Sequence, residues 1–369
     1  MSAAVGDRLI VWRNVDKSPS QSPAFAYDPQ TGQRWTLKVP SGMSWFDPQS
    51  SSGTLVLSWL GKPPAPGTTH GLEGVAIEDV VTGSVRTFWP TDGYDALNVQ
   101  LADTRYAFGW MVKSLPRAPD GPAIASSRAV VIDLASGSLI DLTPPDAGSP
   151  PQASVGAVAN GRALVDVTSG PTGDYAFRSV SLVDLATGKP VPLDLGSAPF
   201  GSFLAGATLV GDLIVGRSDT ATEVGGPFVY HISSGLLERP VQDPTAPGDC
   251  PFELDATRLV CYEDTTDGGQ VFVYDTSRHS RAVVPASGAF NPALGTFGVR
   301  LLGVGNGDIV VGDGRGSSAL VYVAATGLTY RLELGGVAAP ASVAIFGNLL
   351  VCPNYSYGVP VDSRVWRLP

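Results

Sequence analysis

The sequence has few charged residues, few histidines and few cysteines. Charged residues make up 16% of the 369 residues, and there are only three histidines and three cysteines. No run of 18 apolar residues occurs, so a membrane-spanning helix is not expected. The formal net charge of -10 argues against nucleic acid, whose phosphates need Lys and Arg. We therefore expect no nucleic-acid partner and no membrane insertion.

Common catalytic motifs are also missing. The sequence lacks Gly-x-Ser-x-Gly, and no phosphate-binding or dinucleotide glycine pattern follows a strand and opens a helix. The histidines, His70, His231 and His279, do not lie at ligand spacing, so no zinc site is expected. The acidic segment 263–269 lacks the full set of calcium ligands and is interpreted as a solvated turn. No metal and no cofactor are predicted.

A short phrase that ends in a turn recurs along the chain. It consists of alternating apolar residues, four turn residues and a second alternating segment. The turn position recurs every 44 to 54 residues. The seven copies are 25–37, 75–88, 129–142, 181–193, 228–241, 272–284 and 320–332, with turn positions at Gly32, Gly83, Gly137, Gly188, Gly235, His279 and Gly327.

Each phrase predicts a β-hairpin. Alternation with period two is typical of strands, and glycine at the turn position adopts a positive φ at low cost. Five copies carry an aspartate four residues before the turn position, and its carboxylate can accept hydrogen bonds from turn amides. Because these aspartates recur at one place, we interpret them as structural: Asp28, Asp79, Asp133, Asp184 and Asp275.

A second phrase, an apolar strand such as "GDRLIVW" (6–12) or "GDLIVGR" (211–217), precedes each hairpin. An eighth copy lies at 347–353. Another short apolar strand, such as 154–159, precedes most copies. One repeat therefore consists of four strands, a, b, c and d, with a period near that of a propeller blade.

These repeats resemble the blades of WD40-like, TolB-like and quinoprotein-type β-propellers. The resemblance covers nearly the whole chain and implies an all-β fold, with residues 1–369 as a single propeller domain. It carries little information on function. The Trp-Asp and Gly-His pairs of WD40 repeats and the tryptophan dockings of quinoproteins are absent, which argues against a quinone cofactor. Strand counting favours eight four-stranded blades closed by N- and C-terminal strands, with seven blades as the alternative.

The blade resemblance also predicts where a ligand binds. In such blades the b–c and d–a loops share one face. Here the b–c loops differ in length, as binding loops on a rigid scaffold do. Aromatic residues on this face can line a ligand site for a sugar or a peptide, or wedge between neighbouring blades. Those with a polar group are our candidates for ligand binding: Trp45, Tyr94, Tyr175, Tyr355 and Tyr357.

The cysteines leave two interpretations open. A tight turn near Asp255 and Ala256 places Cys250 opposite Cys261, where a disulfide is geometrically allowed. Alternatively, the position of Cys261 requires only a small residue, since Gly216 and Gly312 occupy it in other repeats. A disulfide implies an oxidising compartment. The N-terminus lacks a signal sequence, so either the protein is cytoplasmic or a signal segment is missing from this chain; we favour an extracytoplasmic protein, secreted or in the cell envelope.

Three functions remain as hypotheses. The first is a non-enzymatic module that binds a small molecule, glycan or protein partner on the b–c/d–a face. The second is a lyase or hydrolase at the mouth of a central channel, with acid and base among several carboxylates. The third is a ring that scaffolds an assembly. The candidate carboxylates are Asp92, Asp95, Asp120, Asp174 and Asp264.

Overall fold

The computed structural model describes most of the chain, as β-strands joined by turns. It describes residues 2–5, 7–13, 23–64, 71–114, 124–145, 147–169, 176–193, 207–217, 227–240, 248–255, 257–265, 268–285, 300–305, 307–312, 318–333, 344–346, 349–356 and 359–367. These residues contain no α-helix, which confirms the all-β prediction. Among them there is accordingly no helix long and apolar enough to cross a membrane.

The chain divides into two compact units, Met1–Leu193 and Asp194–Pro369. The first contains four sets of four consecutive strands. They are β1 (Ser2–Val5), β2 (Ile10–Arg13), β3 (Ala24–Tyr27) and β4 (Arg34–Thr36); β5 (Trp45–Ser52), β6 (Leu55–Gly61), β7 (Glu73–Asp79) and β8 (Ser84–Phe88); β9 (Ala96–Leu101), β10 (Tyr106–Ser114), β11 (Ile124–Asp133) and β12 (Ser138–Asp141); and β13 (Ala153–Ala159), β14 (Arg162–Ser169), β15 (Ala176–Asp184) and β16 (Lys189–Val191).

The second unit contains three sets of four strands and one set of three. They are β17 (Thr208–Val210), β18 (Leu213–Arg217), β19 (Pro227–His231) and β20 (Leu237–Glu238); β21 (Gly248–Asp255), β22 (Arg258–Thr265), β23 (Gly268–Asp275) and β24 (Ser280–Val283); β25 (Arg300–Gly305), β26 (Asp308–Gly312), β27 (Ser318–Val323) and β28 (Leu328–Glu333); and β29 (Ala344–Phe346), β30 (Leu349–Ser356) and β31 (Val359–Arg367).

Each set is an antiparallel sheet in which sequential strands are neighbours, as the a-b-c-d repeat predicts. The N-terminal strand β1 pairs with β2 of its own sheet. In the first unit, β5–β8 and β9–β12 are joined into one sheet of eight strands by a parallel contact between Glu73 and Ala96. The number of blades, their closure and the single domain over 1–369 stay predictions.

The c–d turns follow the formula expected from the sequence. One carboxylate oxygen of each recurring aspartate accepts hydrogen bonds of 2.8–3.4 Å from amides that lie two or three residues later in the chain. The five aspartates are Asp28, Asp79, Asp133, Asp184 and Asp275. The glycines at the turn position have φ between +66° and +76°. Because side chains other than glycine rarely adopt this backbone conformation, the repeated glycine is explained by turn geometry.

The core of each unit lies between successive sheets. Strand β6 shows the arrangement: Val56 packs with residues of β1–β4, whereas its neighbour Leu57 packs with residues of β9–β12. Adjacent residues of a strand point to opposite faces. Both faces of the β5–β8 sheet are therefore covered by apolar side chains at β6.

A disulfide joins Cys250 of β21 to Cys261 of β22 across the hairpin, with a sequence separation of 11. Both residues are buried in a core cluster shared with β18, β19 and β23. The disulfide interpretation of the two cysteines is therefore confirmed. The structure gives Cys261 a bonded partner in addition to the small size that its position requires.

Removing this disulfide should lower stability. Replacing Cys250 and Cys261 together by alanine should cost about 2–3 kcal/mol, the loop-closure value for a short loop, and lower the Tm. Replacing the remaining cysteine, Cys352, by alanine is the control and should leave one disulfide. Thiol titration of the denatured wild type without reductant should find one free thiol, and three free thiols would contradict the bond.

Candidate functional site

The candidate site lies at one end of the eight-stranded sheet of the first unit. We call it the loop end: here the a strands begin, the b strands end, the c strands begin and the d strands end. The b–c and d–a loops leave the strands at this end. Two groups of side chains occupy it, one on β5–β8 and one on β9–β12.

The first group, the Trp45 cluster, consists of Trp45 and Gly61 on one face of the β5–β8 sheet, while Lys62 and Trp89 lie at the same end on the opposite face. Trp45 begins β5 opposite Gly61, and a Cβ added at Gly61 would lie 1.9 Å from the indole Nε1. Only glycine therefore allows the indole to lie against the β6 backbone. The Lys62 Nζ lies 3.8 Å from the centroid of the Trp89 ring, a distance typical of a cation–π contact. Each face of this sheet end thus carries one indole ring, and the ammonium group of Lys62 lies on the face of Trp89.

The second group is the Tyr94 cluster, which comprises Tyr94, Ser126, Arg128, Asp141 and Asp92. The Tyr94 hydroxyl accepts hydrogen bonds from Arg128 Nε at 3.0 Å and from Ser126 Oγ at 3.4 Å. Arg128 Nη1 donates to Asp141 Oδ2 at 2.9 Å and lies 3.9 Å from Asp92 Oδ2. The guanidinium is thus held between two carboxylates, with its side chain 35% exposed.

Backbone contacts hold the two groups on one sheet. The Glu73 amide at the start of β7 donates to the Asp95 carbonyl at 2.9 Å, beside the parallel contact with Ala96. The Asp95 carboxylate accepts the Ser114 amide at 2.7 Å at the end of β10. The start of β9 is therefore tied both to the neighbouring four strands and to the end of its own b strand.

The five candidate aromatic residues have different outcomes. Trp45 is partly exposed at the loop end. Tyr94 is 7% exposed and packs between β5–β8 and β9–β12 with residues such as Leu57 and Val75, the position of an inter-blade wedge. Tyr355 belongs to β30, but its side chain is not among those described, and Tyr175 and Tyr357 lie outside the described residues. Ligand binding by these residues stays a prediction.

Two of the candidate carboxylates have structural partners. Asp92 lies beside Arg128, and Asp95 accepts the Ser114 amide. Asp264 is placed in β22 without a described side chain, and Asp120 and Asp174 lie outside the described residues. Of the two, Asp95 contributes to the local structure of the loop end, whereas the side chain of Asp92 is 68% exposed.

Sequence reasoning missed a buried acid, Asp166, in the b strand β14. Its side chain is 7% exposed, and its Oδ1 has no hydrogen-bond partner. Burial raises the pKa of this carboxyl to about 7. A carboxyl group with such a pKa exchanges protons near neutral pH, a property that general acids and bases need. The signal in the sequence was a charged residue inside an apolar strand phrase, "GRALVDV".

Sequence reasoning also missed a group of possible metal ligands in the second unit. One atom each of His231, Glu238 and His279 lies within 4.8 Å of the others. The Tyr274 hydroxyl donates a hydrogen bond to Glu238, and burial together with this carboxylate raises the pKa of Tyr274. No spacing rule finds these ligands, because they come from two sheets.

No protein-family model matches the chain, and no curated protein sequence matches it. Solved structures do. A dipeptidyl peptidase 4 of Porphyromonas gingivalis is 11% identical with a TM-score of 0.58, over 98% of this chain and 56% of that chain. An oligogalacturonate lyase in complex with manganese is 12% identical with a TM-score of 0.52, over 98% of this chain and 97% of the lyase.

The β-propeller domain of the Trilobed protease from Pyrococcus furiosus, at 10% identity, gives a TM-score of 0.49 over 89% of this chain and 94% of that one. The fold is a β-propeller fold. This confirms the resemblance of the repeats to propeller blades. At these identities the likenesses show the fold alone, and the chain spans about half the length of the peptidase.

Asp166 should make stability depend on pH. Its folded pKa of about 7 is above the usual value of 3.8 for this carboxyl group, so the folded state binds the proton more tightly than the unfolded state. Stability from this group is therefore complete below about pH 4 and is lost as the pH rises through about 7. Replacing Asp166 by asparagine should raise the Tm by several degrees at pH 8 and change it little at pH 4.5.

The control for this variant is Glu73→Gln, which removes an exposed carboxylate from β7. Its Tm should follow the wild type across the same pH range. Thermal melts from pH 4 to pH 9 test both variants. An Asp166→Asn variant that is less stable than the wild type at pH 8 would contradict a buried, unpaired carboxylate.

Proposed function

We propose that the protein is a non-enzymatic binding module whose ligand contacts the loop end of the β5–β12 sheet. The observation that supports this most is the pairing of the Trp45 cluster with the Tyr94 cluster at one end of one sheet. The Trp45 indole and the Arg128 guanidinium are both partly exposed at this end, and Lys62 and Trp89 lie at the same end on the opposite face of β5–β8. Loops on a rigid scaffold commonly carry binding sites, and the backbone ties at Glu73 and Asp95 make this part of the scaffold rigid.

The chemistry of the two clusters favours a sugar or a peptide as ligand. The face of an indole packs against apolar C–H groups, while its N–H can donate a hydrogen bond. Lys62 and Arg128 can donate to hydroxyl, carbonyl or carboxylate oxygens. Such a combination suits a ligand that has both apolar faces and many oxygen atoms, and we therefore favour a glycan among the possible ligands.

A lyase or hydrolase is the alternative, and one observation supports it. Asp166, with a pKa of about 7, is a group that can take or give a proton near neutral pH. Two observations speak for the binding module instead. The Asp95 carboxylate is occupied by the Ser114 amide, and Asp166 has no described basic partner that would orient it. Formation of new products by the purified protein from any glycan it binds, measured by mass spectrometry, would favour the enzyme.

We also propose the finer architecture of the propeller. Seven four-stranded sets and one three-stranded set in the described residues support eight blades, with seven as the alternative. On this proposal residues 1–369 form one domain, closed by N- and C-terminal strands. Such a ring could also scaffold an assembly. An eightfold outline in electron-microscopy class averages is the expected result, and a sevenfold outline would contradict it.

We further propose that the protein works outside the cytoplasm, in the cell envelope or as a secreted protein. The support is the buried disulfide between Cys250 and Cys261, since such bonds persist in oxidising compartments. A cytoplasmic protein is the alternative. Alkylation of thiols in intact cells before lysis, followed by mass spectrometry of the peptides, should find this pair bonded.

Trp45 should contribute to binding more than to folding. On an array of neutral and uronic-acid oligosaccharides, Trp45→Ala should bind the wild type's best glycan about tenfold more weakly, or worse, a loss of about 1.4 kcal/mol. Its Tm should stay within a few degrees of the wild type, because Trp45 is partly exposed. Tyr355→Ala, the second candidate, should behave alike.

The matched control is Trp110→Ala. Trp110 is 39% exposed on β10 and belongs to neither cluster. Its replacement should leave glycan binding unchanged. If Trp45→Ala unfolds the protein while the folded fraction keeps its affinity, the indole is a packing residue and the loop-end site is wrong.

A further inference from the structure

Two histidines and a glutamate converge in the second unit. His231 is the last residue of β19, Glu238 lies in β20, and His279 lies in the c–d turn between β23 and β24. His231 Nε2 lies 3.5 Å from Glu238 Oε2, and His279 Nδ1 contacts the other carboxylate oxygen. The three side chains bridge the turn ends of two neighbouring sheets, β17–β20 and β21–β24.

His231 stands where five other turns have a structural aspartate, and a different residue performs the role of that aspartate here. Five other c–d turns carry at this position the aspartate that accepts turn amides. Here the Ser233 amide donates instead to Asp212 Oδ2 at 3.0 Å, and the Ile232 amide donates to the Asp212 carbonyl at 2.9 Å. Because Asp212 caps the turn, the side chain of His231 is not needed for that purpose.

His279 departs from the same formula at the turn position. The other copies have glycine there with φ between +66° and +76°, whereas His279 has φ +51°. This is the left-handed region, which is unfavourable for a residue with a Cβ and is adopted most readily by glycine. Turn geometry therefore favours glycine at 279, so the imidazole is retained against a local conformational preference.

The polar atoms of the cluster have unused capacity. His231 Nε2 is buried and has no hydrogen-bond partner. The Glu238 side chain is 12% exposed and is oriented by the hydroxyl of Tyr274, which approaches it from β23. The imidazole of His279, on the other side of the carboxylate, is 54% exposed. A buried ring nitrogen, an oriented carboxylate and a solvent-facing imidazole therefore surround one point.

We propose that His231, Glu238 and His279 bind a divalent transition metal ion of the Zn²⁺ class. Two imidazoles and one carboxylate are a known ligand set for Zn²⁺, with a water or another ligand in the fourth position. The exposed side of His279 leaves room for that water. This inference differs from the expectation drawn from the sequence, which considered spacing along the chain only.

The geometry is close to what such an ion requires. Atoms bound to one Zn²⁺ lie about 2.0–2.2 Å from it and therefore roughly 3–3.5 Å from one another. The three ligand atoms lie within 4.8 Å of one another, so side-chain rotations of about an ångström complete the set. Ca²⁺ and Mg²⁺ prefer sets made of oxygen atoms, and two imidazoles therefore select against them.

The bound ion links two sheets through its ligands. His231 and Glu238 belong to β17–β20, and His279 belongs to β21–β24. The core cluster directly behind them contains Tyr274 and the Cys250–Cys261 disulfide. The ion therefore closes the turn end of an interface whose interior is apolar. This role is independent of the ligand site proposed at the loop end of the first unit.

The test uses untagged, chelator-treated protein and ZnCl₂. One equivalent of Zn²⁺ should stay bound after desalting and should raise the Tm, because an ion that binds only the folded state stabilises it. Mg²⁺ and Ca²⁺ at the same concentration should not. Co²⁺ should give the strong visible absorption of a tetrahedral site. Absence of a Zn²⁺-dependent Tm rise in the wild type overturns the proposal and leaves a histidine–carboxylate ion pair only.

Two variants give these turns residues that resemble those of the other repeats. His279→Gly restores the turn glycine, and His231→Asn retains a side chain that can accept a turn amide. Both should lose the Zn²⁺-dependent Tm rise, and metal-free His279→Gly should be at least as stable as the metal-free wild type. His70→Ala, which removes the third histidine of the sequence, is the control and should keep the rise. Tyr274→Phe should weaken Zn²⁺ binding about 10–100-fold, as loss of a group that orients a ligand does.

The outcomes separate the proposal from its competitors. A Tm rise that persists in both His279→Gly and His231→Asn means that Zn²⁺ binds elsewhere and overturns the site. A fall in the stability of metal-free His279→Gly, without any metal effect in the wild type, supports the ion pair and also overturns it. If a variant fails to fold, the Co²⁺ spectrum of the wild type decides, and an octahedral spectrum contradicts the proposed ligand set.

Discussion

Sheets with two apolar faces recur along the chain, and this constraint governs the rest of the structure. In β22, Val260 packs toward β25–β28, whereas the next residue, Cys261, packs toward β17–β20. In β10, Ala107 and Phe108 likewise enter clusters on opposite sides. A single sheet of this kind would expose one apolar face to water at about 25 cal/mol per Å². Packing against neighbouring sheets covers these faces, which explains why the same unit is repeated along the chain.

The two ends of a sheet differ in how strictly the fold limits the length and residues of their connections. At the c–d end the chain must turn within four residues, so an aspartate and a glycine recur there. At the loop end the connection between b and c has no fixed length, and side chains such as Trp45, Lys62 and Arg128 occupy it. The departures from the formula are informative for this reason. A histidine at a place where folding favours glycine requires an explanation outside the hairpin itself.

Local features of the fold could be predicted from the sequence, and contacts between sheets could not. The turn phrases predicted the c–d hairpins, because alternation and turn chemistry act within about a dozen residues. The hairpin of Cys250 and Cys261 was predictable as one of two possibilities for the same reason. The side-by-side position of His231 and His279 was not, since it depends on which faces of two sheets meet. The burial of Tyr94 between two sheets also depends on that packing, and the aromatic residue alone does not reveal it.

The parallel contact between Glu73 and Ala96 gives the first unit an asymmetry along its strands. At the loop end β5–β8 and β9–β12 share backbone hydrogen bonding, whereas farther along the strands side chains link them: Trp59 Nε1 donates to the Val99 carbonyl at 3.3 Å, and Ser50 Oγ accepts the Leu101 amide at 3.2 Å. Backbone bonds are directional and short, and apolar contacts permit small sliding movements. A molecule that enters between the two sheets at the loop end therefore meets a connection made by main-chain atoms, which no substitution of a side chain removes. Replacing Ser50 or Trp59, by contrast, removes a connection farther along the strands.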